Sequence, residues 1–350
     1  MALLTGWASF LVTVATLGCI YALLTVGLNV HFGFTGLINF GHVAFFAAGA
    51  YAAAVLTMPP PGELARANYL LGLDLPMPVG FPVSLTAAAV VGGLLALALG
   101  LTSVRLDSHY LAVATFALAG IFKDVLVNEA WLTNGSFGLN SVPKPGREAL
   151  GADAWQVGYL LVTVALLVGT VFVVRRLTGS PFGRLLRSVR ESEEAARMLG
   201  KDTARVKLKS FALGGAVAGL AGGVYAHYLG SVVVQQFVPE VTFTVWTAML
   251  LGGAASSEGA VLGAFLLVSF RESTRFLTGV YDALLDALPT VAAGALEAAV
   301  APLPDHPSFV PSVRFAVVGL LLVVMVRYRP EGVLGDPREI EAIGEEGDRP

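Results

Sequence analysis

Charged residues are scarce in this chain, and their scarcity excludes a water-soluble globular protein. Asp, Glu, Lys and Arg make up 13% of the 350 residues, against about 25% in soluble domains. Apolar residues make up 55%, and the mean hydropathy is +0.74. We therefore expect an integral membrane protein surrounded by lipid. The formal net charge of −3 gives no overall attraction for nucleic acid.

Sequence patterns for redox, metal and nucleotide chemistry are also missing. The single cysteine, Cys19, cannot form an internal disulfide, and the five histidines show no metal-ligand spacing. A Walker A loop requires GxxxxGK[ST], but the one Gly-Lys pair, Gly200-Lys201, is followed by Asp202 and has Ala195 at the first glycine position. We expect no catalytic residue, no metal, no cofactor and no ATP hydrolysis by this chain alone.

Long uncharged stretches dominate the chain instead. A helix needs ~20 apolar residues to cross the hydrocarbon core of a bilayer. The seventh apolar stretch is short and ends in Gly252-Gly253, which favours a tilted, broken or re-entrant piece. We predict an all-α bundle of about nine spans, within a range of eight to ten, at about 8–30, 37–57, 79–103, 109–128, 157–175, 209–229, 241–254, 258–274 and 312–327.

Three other features bear on the organisation of the chain. The first ten residues lack Lys and Arg and the apolar run continues to Val30, so we expect a retained helix instead of a cleaved signal peptide. The stretch 282–303 is apolar but contains three acidic residues and Pro289, which favours an amphipathic surface helix over a tenth span. Residues 336–350 are predicted to be a disordered cytoplasmic tail. Residues 1–335 then form the transmembrane domain.

Basic residues are concentrated in one connection. Ten of the 22 Lys and Arg residues lie between Arg175 and Lys209. Because Lys and Arg are retained on the cytoplasmic side, we place residues 176–208 in the cytoplasm and the N-terminus outside. With nine spans, fifteen basic residues then lie inside and four lie outside, the four being Arg66, Lys144, Arg147 and Arg275. One miscounted span would place both chain ends on the same side.

Small residues recur at every fourth position in several spans. Helices in lipid associate through close backbone contact, which small residues at this spacing permit. We therefore predict that the sixth span is surrounded by other helices. It contains two adjacent rows, one of Gly215, Gly219 and Gly223 and the other of Gly214, Ala218, Gly222 and Ala226.

The connection between the fifth and sixth spans contains a short amphipathic helix pattern. Ser180-Pro181 is a helix start, and the run 193–199 ends at Gly200, as a C-terminal cap glycine does. The pattern fits either an ordinary basic loop or a docking helix for a cytoplasmic partner. The run Glu194-Ala195-Ala196 followed by Gly200 resembles the EAA…G coupling loop of ABC importer permeases. The Ile-x-Leu-Pro that follows the glycine in that loop is not present.

Longer stretches resemble one family of these permeases. Taken in order along the chain, five stretches are similar to the branched-chain amino acid ABC permeases, in particular their LivM-type subunit. The regions 58–78 and 280–311 do not follow the family pattern closely. The matching stretches are GLINFGHVAFFAAGAYAAAVL (36–56), LDSHYLAVATFALAGIFKDVLVNEAWLTNGSFGLNSVPKP (106–145), SPFGRLLRSVRESEEAARMLG (180–200), MLLGGAASSEGAVLGAF (249–265) and RYRPEGVLG (327–335).

The resemblance implies a permease subunit that carries Leu, Ile or Val across the bacterial cytoplasmic membrane. It also implies a homologous LivH-type permease, two cytoplasmic ABC ATPases and an extracytoplasmic substrate-binding protein as partners, with membrane lipid around the spans. The ATPase-coupling role is carried over to the matching residues Glu194, Ala195, Ala196 and Gly200.

Polar residues inside the spans are the candidates for a substrate path, because a zwitterion in hydrocarbon needs polar partners. Thr35, Asn39 and His42 lie at the start of the second span, and Thr115 lies in the fourth. Helix capping and local hydrogen bonding are the alternative explanation for these four residues.

Other functions are left open by the residues. Relatives in the family carry urea, short amides or other amino acids, and the spans do not separate these substrates. A secondary carrier or channel without partners is a second possibility. Such carriers usually contain buried ionisable residues, whereas here Lys123, Asp124, Arg271 and Glu272 all lie toward span ends. A membrane scaffold or enzyme is a third, and nothing in the sequence supports catalysis.

Overall fold

The computed structural model describes residues 6–60, 72–103, 106, 108–273, 319–320, 323, 327–328 and 332–335. Within them, strands β1 (Leu139–Asn140) and β2 (Ser231–Val232) pair antiparallel, and two short 3-10 helices cover Gly135–Phe137 and Val234–Gln236. The α-helices of this part are α1 (Gly6–His31), α2 (His42–Thr57), α3 (Met77–Ser103), α4 (Ser108–Asn128), α5 (Ala130–Thr133), α6 (Arg147–Leu150), α7 (Ala152–Thr178), α8 (Pro181–Glu191), α9 (Glu193–Met198), α10 (Thr203–Leu229), α11 (Pro239–Gly252) and α12 (Ser257–Ser273).

The prediction of an all-α, multi-span protein is confirmed for this part of the chain. α1, α3, α4, α7 and α10 are each long and apolar enough to cross a membrane. They correspond to the first, third, fourth, fifth and sixth predicted spans, and their ends differ from the predicted ends by up to six residues. The predicted span 312–327 lies almost wholly outside the described residues, and the stretches 282–303 and 336–350 lie wholly outside them.

α2 begins five residues later than the predicted second span, because residues 37–41 are not helical. The side chain of Asn39 accepts the backbone N–H of Gly41 at 2.8 Å, a local bond that competes with helix formation. Gly36, just before this stretch, has a φ of +75°. α2 is therefore 16 residues long, shorter than the ~20 residues of a complete span.

α11 and α12 form one sharply bent unit. The chain bends by 120° between the helical stretch Val234–Gly252 and α12, at a break of four residues or fewer, as in a broken span or a re-entrant loop. With 14 and 17 residues, neither reaches the length of a complete span by itself. The predicted seventh and eighth spans are thus two parts of one unit, and the expectation of a broken or re-entrant piece holds. The turn uses left-handed backbone at Gly253 and Ala255.

α10 lies at the centre of the described bundle. It packs against α1, α2 and α3, and α1 packs in turn against α7, α11 and α12. Large side chains such as Phe45, Phe211 and Met249 are completely buried between these helices. The outer faces of α4 and α7 expose apolar side chains, including Val113 and Phe172, which suits contact with lipid.

The two rows of small residues in α10 contact different neighbours. Gly215, Gly219 and Gly223 lie against α3, where a Cβ at Gly219 would collide with a backbone carbonyl oxygen. The second row lies against α1 and α2, where a Cβ at Gly222 would collide with the carbonyl oxygen of Phe46. Backbone meets backbone at Gly219 and at Gly222, so no side chain fits at these two positions.

Candidate functional site

The α7–α10 connection (residues 179–202) contains α8 and α9. The hydroxyl of Ser180 caps α8 by accepting the backbone N–H two residues on at 3.2 Å, and Pro181 occupies the first helical position. Ser192 stands alone between the helices and caps α9 by accepting the N–H of Ala195 at 3.2 Å. The connection is therefore two short helices joined at a single serine.

Glu193 anchors α9 to the first turns of α10. Its carboxylate accepts hydrogen bonds from Arg197 at 2.7 Å and from Thr203 at 2.9 Å, and it pairs with the buried ammonium of Lys207. Burial alone would raise the pKa of Glu193, but Lys207, Thr203 and Arg197 outweigh it and hold the pKa below its ordinary value. The sequence pattern did not distinguish this anchoring residue from the neighbouring Glu194, which is exposed.

We expect Glu193→Gln to loosen α9 from α10 at pH 7, since three partners lose an ionised acceptor. The pKa of Glu193 is lower in the folded protein than in the unfolded chain. The stabilisation that Glu193 provides is therefore complete above the unfolded pKa of about 4.3, and it disappears as the pH falls through the folded pKa. The mobility of the end of α9 is measured with a spin label attached to Lys201→Cys. The native Cys19 is buried, so the label goes to the introduced cysteine. Wild type and variant should differ at pH 7 and converge at low pH. Equal mobility at pH 7 would contradict the anchoring role, and Glu194→Gln is the matched control.

The end of α9 presents an exposed apolar tip, formed by Met198 and Leu199, which are 78% and 79% exposed. Gly200 follows with a φ of +73°. Its N–H and the next one bond back to carbonyl oxygens of the last turn at 2.9 and 3.1 Å, which closes the helix. Gly200 thus ends the helix as the sequence predicts. Two large exposed apolar side chains at the tip of a charged segment are typical of a contact surface for another protein.

The four predicted coupling residues divide into two groups. Glu194, Ala195 and Gly200 are exposed, whereas Ala196 is buried against the bundle. The exposed three lie beside the apolar tip. Ala196 belongs to a buried apolar cluster with residues of α1 and α8, so its contribution is to attach α9.

α8 is fastened to the end of α1. Leu186 and Val189 belong to the same buried apolar cluster as Phe34. Arg190 is only 6% exposed, and its Nη1 donates to the carbonyl oxygen of Gly33 at 2.5 Å. A charge-assisted hydrogen bond in a buried place is stronger than a neutral one. The α7–α10 connection is therefore joined firmly to the residues that follow α1.

Those residues form the α1–α2 connection (32–41), whose non-helical backbone lies inside the bundle. Irregular backbone at such a depth is tolerated only where protein groups satisfy its hydrogen bonds. Side chains of α4 and α11 do so here. Thr115 accepts the N–H of Phe40 at 3.1 Å, Thr242 accepts the N–H of Val43 at 3.1 Å, and the indole N–H of Trp246 donates to the carbonyl oxygen of Asn39 at 3.0 Å.

The structure brings together the four predicted path residues, Thr35, Asn39, His42 and Thr115, each at most 2% exposed. Thr35 shares a 2.7 Å hydrogen bond with Ser210 of α10, and Asn39 donates to Nδ1 of His31 at 3.1 Å. His31 and Ser210 complete this polar cluster but were not predicted. Each lies in a run of ordinary helical residues, where the sequence gives no signal of a polar neighbour.

Two histidines lie at the centre of the polar cluster, with ring centroids 5.3 Å apart. Nε2 of His31 is 3.0 Å from the carbonyl oxygen of Phe211, so it carries the proton and leaves Nδ1 to accept from Asn39. Nε2 of His42 likewise donates to the carbonyl oxygen of Leu24 at 3.0 Å. Nδ1 of His42 is buried and has no hydrogen-bond partner among the described residues. Such an acceptor costs about 1–3 kcal/mol, so a polar group arriving there would be stabilised.

Asn29, near the end of α1, links the bend between α11 and α12 to the α1–α2 connection. Its Oδ1 accepts the N–H of Ala255 at 2.9 Å, and its Nδ2 donates to the carbonyl oxygen of Ser256 at 3.2 Å. Gly33 lies in close contact with both Asn29 and the backbone of Ala255. These contacts couple the α1–α2 connection to the bend between α11 and α12, so a displacement of one segment also displaces the other.

These features define a class. Apolar helices with two breaks inside the bundle, a buried polar cluster beside them and an exposed, charged segment with an apolar tip describe a multi-pass transport protein. Residues 10–326 match the family described as "Branched-chain amino acid transport system / permease component", and the chain belongs to this family. It is a multi-pass protein of the inner membrane.

Named relatives agree with the family match. The chain is 33% identical over 287 residues to the high-affinity branched-chain amino acid transport system permease protein LivM of Escherichia coli strain K12, and 32% identical over 286 residues to that of Salmonella typhimurium. Each alignment covers 75% of this chain and 63% of the relative, so the chain spans less than two thirds of their length.

The chain is also similar to LivH proteins. The chain is 26% identical over 348 residues to the LivH protein of Escherichia coli strain K12, covering 94% of this chain and 95% of that protein. No solved structure matches the chain.

Proposed function

We propose that this chain is the membrane-spanning permease subunit of an ATP-driven importer of branched-chain amino acids. The observation that carries the proposal is the exposed α7–α10 connection, with its apolar tip, on a member of this permease family. The names of the LivM and LivH relatives support branched-chain amino acids as the substrates. The chain has no Walker A loop, so ATP hydrolysis belongs to separate subunits.

In the assembled importer, the partners are a LivH-type permease, two ABC ATPases and an extracytoplasmic substrate-binding protein. The excess of Lys and Arg in residues 176–208 supports a cytoplasmic position for the α7–α10 connection. There Met198 and Leu199 enter a cleft of an ATPase, and Glu194 contacts its rim. Gly200 fixes the direction in which the apolar tip points, because only glycine adopts the left-handed backbone at this position without strain.

Movement of the α7–α10 connection reaches the polar cluster through Arg190. The α1–α2 connection is the element that moves, since it is held by turns and side-chain hydrogen bonds and not by a continuous helix. Opening it exposes Thr35, Asn39, His42 and Thr115 to a passing zwitterion. The unpaired Nδ1 of His42 would then accept from the substrate ammonium group.

Uptake by the co-purified complex in proteoliposomes tests this function. ATP enclosed with the ATPase subunits should drive accumulation of labelled Leu, Ile and Val when the binding protein is present. Accumulation of urea or a short amide in their place would assign a different substrate within the family. Uptake by this chain alone under an ion gradient would reject the ABC role in favour of a secondary carrier.

The docking role is tested by Leu199→Asp and Gly200→Val. If the apolar tip is a hot spot of the interface, its loss costs about 2 kcal/mol or more, or ~30-fold in affinity, so we expect loss of ATPase binding and of ATP-driven uptake in both variants. The protein should remain inserted in the membrane. Phe137→Asp is the matched control, because this exposed side chain precedes β1, which pairs with β2 after the end of α10 that is remote from the connection. Normal uptake by the tip variants would contradict the docking role.

A further inference from the structure

A polar cavity of about 430 Å³ lies at the end of the bundle opposite the α7–α10 connection. It is formed by the first turn of α7, the last turns of α10 and α12, and the middle of α1. Trp155, Tyr228 and Arg271 line it from the three helix ends. α7 begins beside the cavity and ends at the connection, and α10 returns from the connection to the cavity. If the connection is cytoplasmic, the cavity is on the outer side.

Two charged side chains line the floor of this cavity, and one of them is buried. Arg271 and Glu272 lie in the last turn of α12, and Glu272 is only 6% exposed. Arg271 donates from Nη1 to the hydroxyl of Tyr21 at 2.9 Å and lies over the Tyr21 ring. Ionisable side chains within membrane-spanning helices are costly and mark functional sites.

Two further cations line the rim. Nζ of Lys144 lies 5.2 Å from the centre of the Trp155 ring, and the guanidinium of Arg147 lies 5.9 Å from it. Burial and the charge of Arg147 lower the pKa of Lys144. Three cations against the single carboxylate of Glu272 give the lining a net positive charge, which favours a ligand that carries an anionic group.

The remaining lining suits a small apolar side chain. Leu17 and Val268 give one wall an apolar surface, and Tyr225 and Tyr228 add aromatic faces. The volume lies within the range of about 300–1,000 Å³ that small-molecule sites occupy. The lining is more polar than apolar, with charged groups beside a smaller apolar surface, which suits a ligand that carries both charges and a short apolar side chain.

We propose that this cavity is an outer binding site for a free α-amino acid with an apolar side chain. The carboxylate faces Lys144 and Arg147, the ammonium group faces Glu272, and the side chain lies against Leu17 and Val268. This inference rests on the proposed function, because it supplies a site where the substrate waits before it reaches the polar cluster.

Equilibrium binding of labelled L-leucine to the co-purified transporter tests the site. The complex is placed in nanodiscs of phosphatidylcholine, without the substrate-binding protein. We expect saturable binding that L-isoleucine and L-valine displace. L-leucinamide lacks the carboxylate and 4-methylpentanoate lacks the ammonium group, so neither should displace leucine at comparable concentrations. The double variant Lys144→Gln, Arg147→Gln should bind leucine about 10- to 100-fold more weakly, as expected for loss of charged hydrogen bonds.

Lys123→Gln combined with Arg184→Gln is the matched control, since it removes two cations that do not line the cavity. The inference is overturned if leucine does not bind, if L-leucinamide displaces it equally well, or if the Lys144 and Arg147 variant binds normally. It is also overturned if phosphatidylglycerol in the nanodiscs abolishes leucine binding, because the cavity would then hold a lipid headgroup. ATP-driven leucine uptake by the wild-type complex is measured separately, so a failed site is distinguishable from a failed function.

Discussion

Replacing Gly219 with leucine is expected to lower the melting temperature of the detergent-solubilised protein by about 4 °C. The expectation follows from the contact of α10 with α3, where a Cβ at Gly219 collides with the carbonyl oxygen of Ala88. A carbonyl oxygen in a helix cannot turn aside as the end of a flexible side chain does. The two helices have to separate, and the close packing on both sides of α10 is lost with them.

Gly169→Leu on α7 is the matched control for this prediction. A Cβ at Gly169 meets nothing within 4 Å, and the position is exposed on a face suited to lipid. We expect a change of ~0.5 kcal/mol or less there. Melting followed by the fluorescence of the native tryptophans compares the two variants. An unchanged melting temperature for Gly219→Leu would show that α3 and α10 are not packed as described.

Replacing Arg190 with glutamine is expected to separate ATP hydrolysis from transport in the assembled importer. The guanidinium joins α8 to the carbonyl oxygen of Gly33, and a glutamine side chain is too short to reach it. The exposed tip at Leu199 is unchanged, so the ATPases still bind and hydrolyse ATP. Uptake per ATP hydrolysed should fall about 10- to 100-fold, the range for loss of a charged hydrogen bond of 1.5–3 kcal/mol.

Three measurements separate this role from a structural one. Complex assembly and ATPase rate should stay near the wild-type values, whereas uptake should fall. Arg190→Lys keeps the charge and a long side chain, so it should recover part of the uptake. Arg184→Gln changes an exposed arginine of the same helix and should change nothing. Loss of ATPase activity together with uptake would show that Arg190 supports folding or docking and does not transmit movement.

The positions of the long spans were predictable because they depend on local properties. α1, α7 and α10 are runs of apolar residues long enough to cross a bilayer, and the bilayer imposes that length on any helix that crosses it. The helix end at Gly200 was predictable for a similar reason, as its left-handed backbone is a local requirement. The orientation of the chain and its disordered tail remain predictions.

The interrupted elements were harder to predict. The break before α2 depends on Thr115, Thr242 and Trp246, which lie on helices far away in sequence and accept or donate the hydrogen bonds that a helix would have made. No window of neighbouring residues contains that information. Gly252-Gly253 indicated the bend between α11 and α12. Nothing in the sequence indicated that the side chain of Asn29 joins this bend to α1.

Composition and hydrophobic spacing were therefore enough to identify a helical membrane protein, and the order of its motifs was enough to indicate its permease family. Both depend on residue identity along the chain, which lipid and helix geometry convert directly into structure. The partnership of Arg190 with Gly33, of His31 with Asn39, and of Glu193 with Lys207 depended on packing between distant elements. Side-chain charge and polarity predict that partners are needed, but only the approach of the helices determines which partners are found.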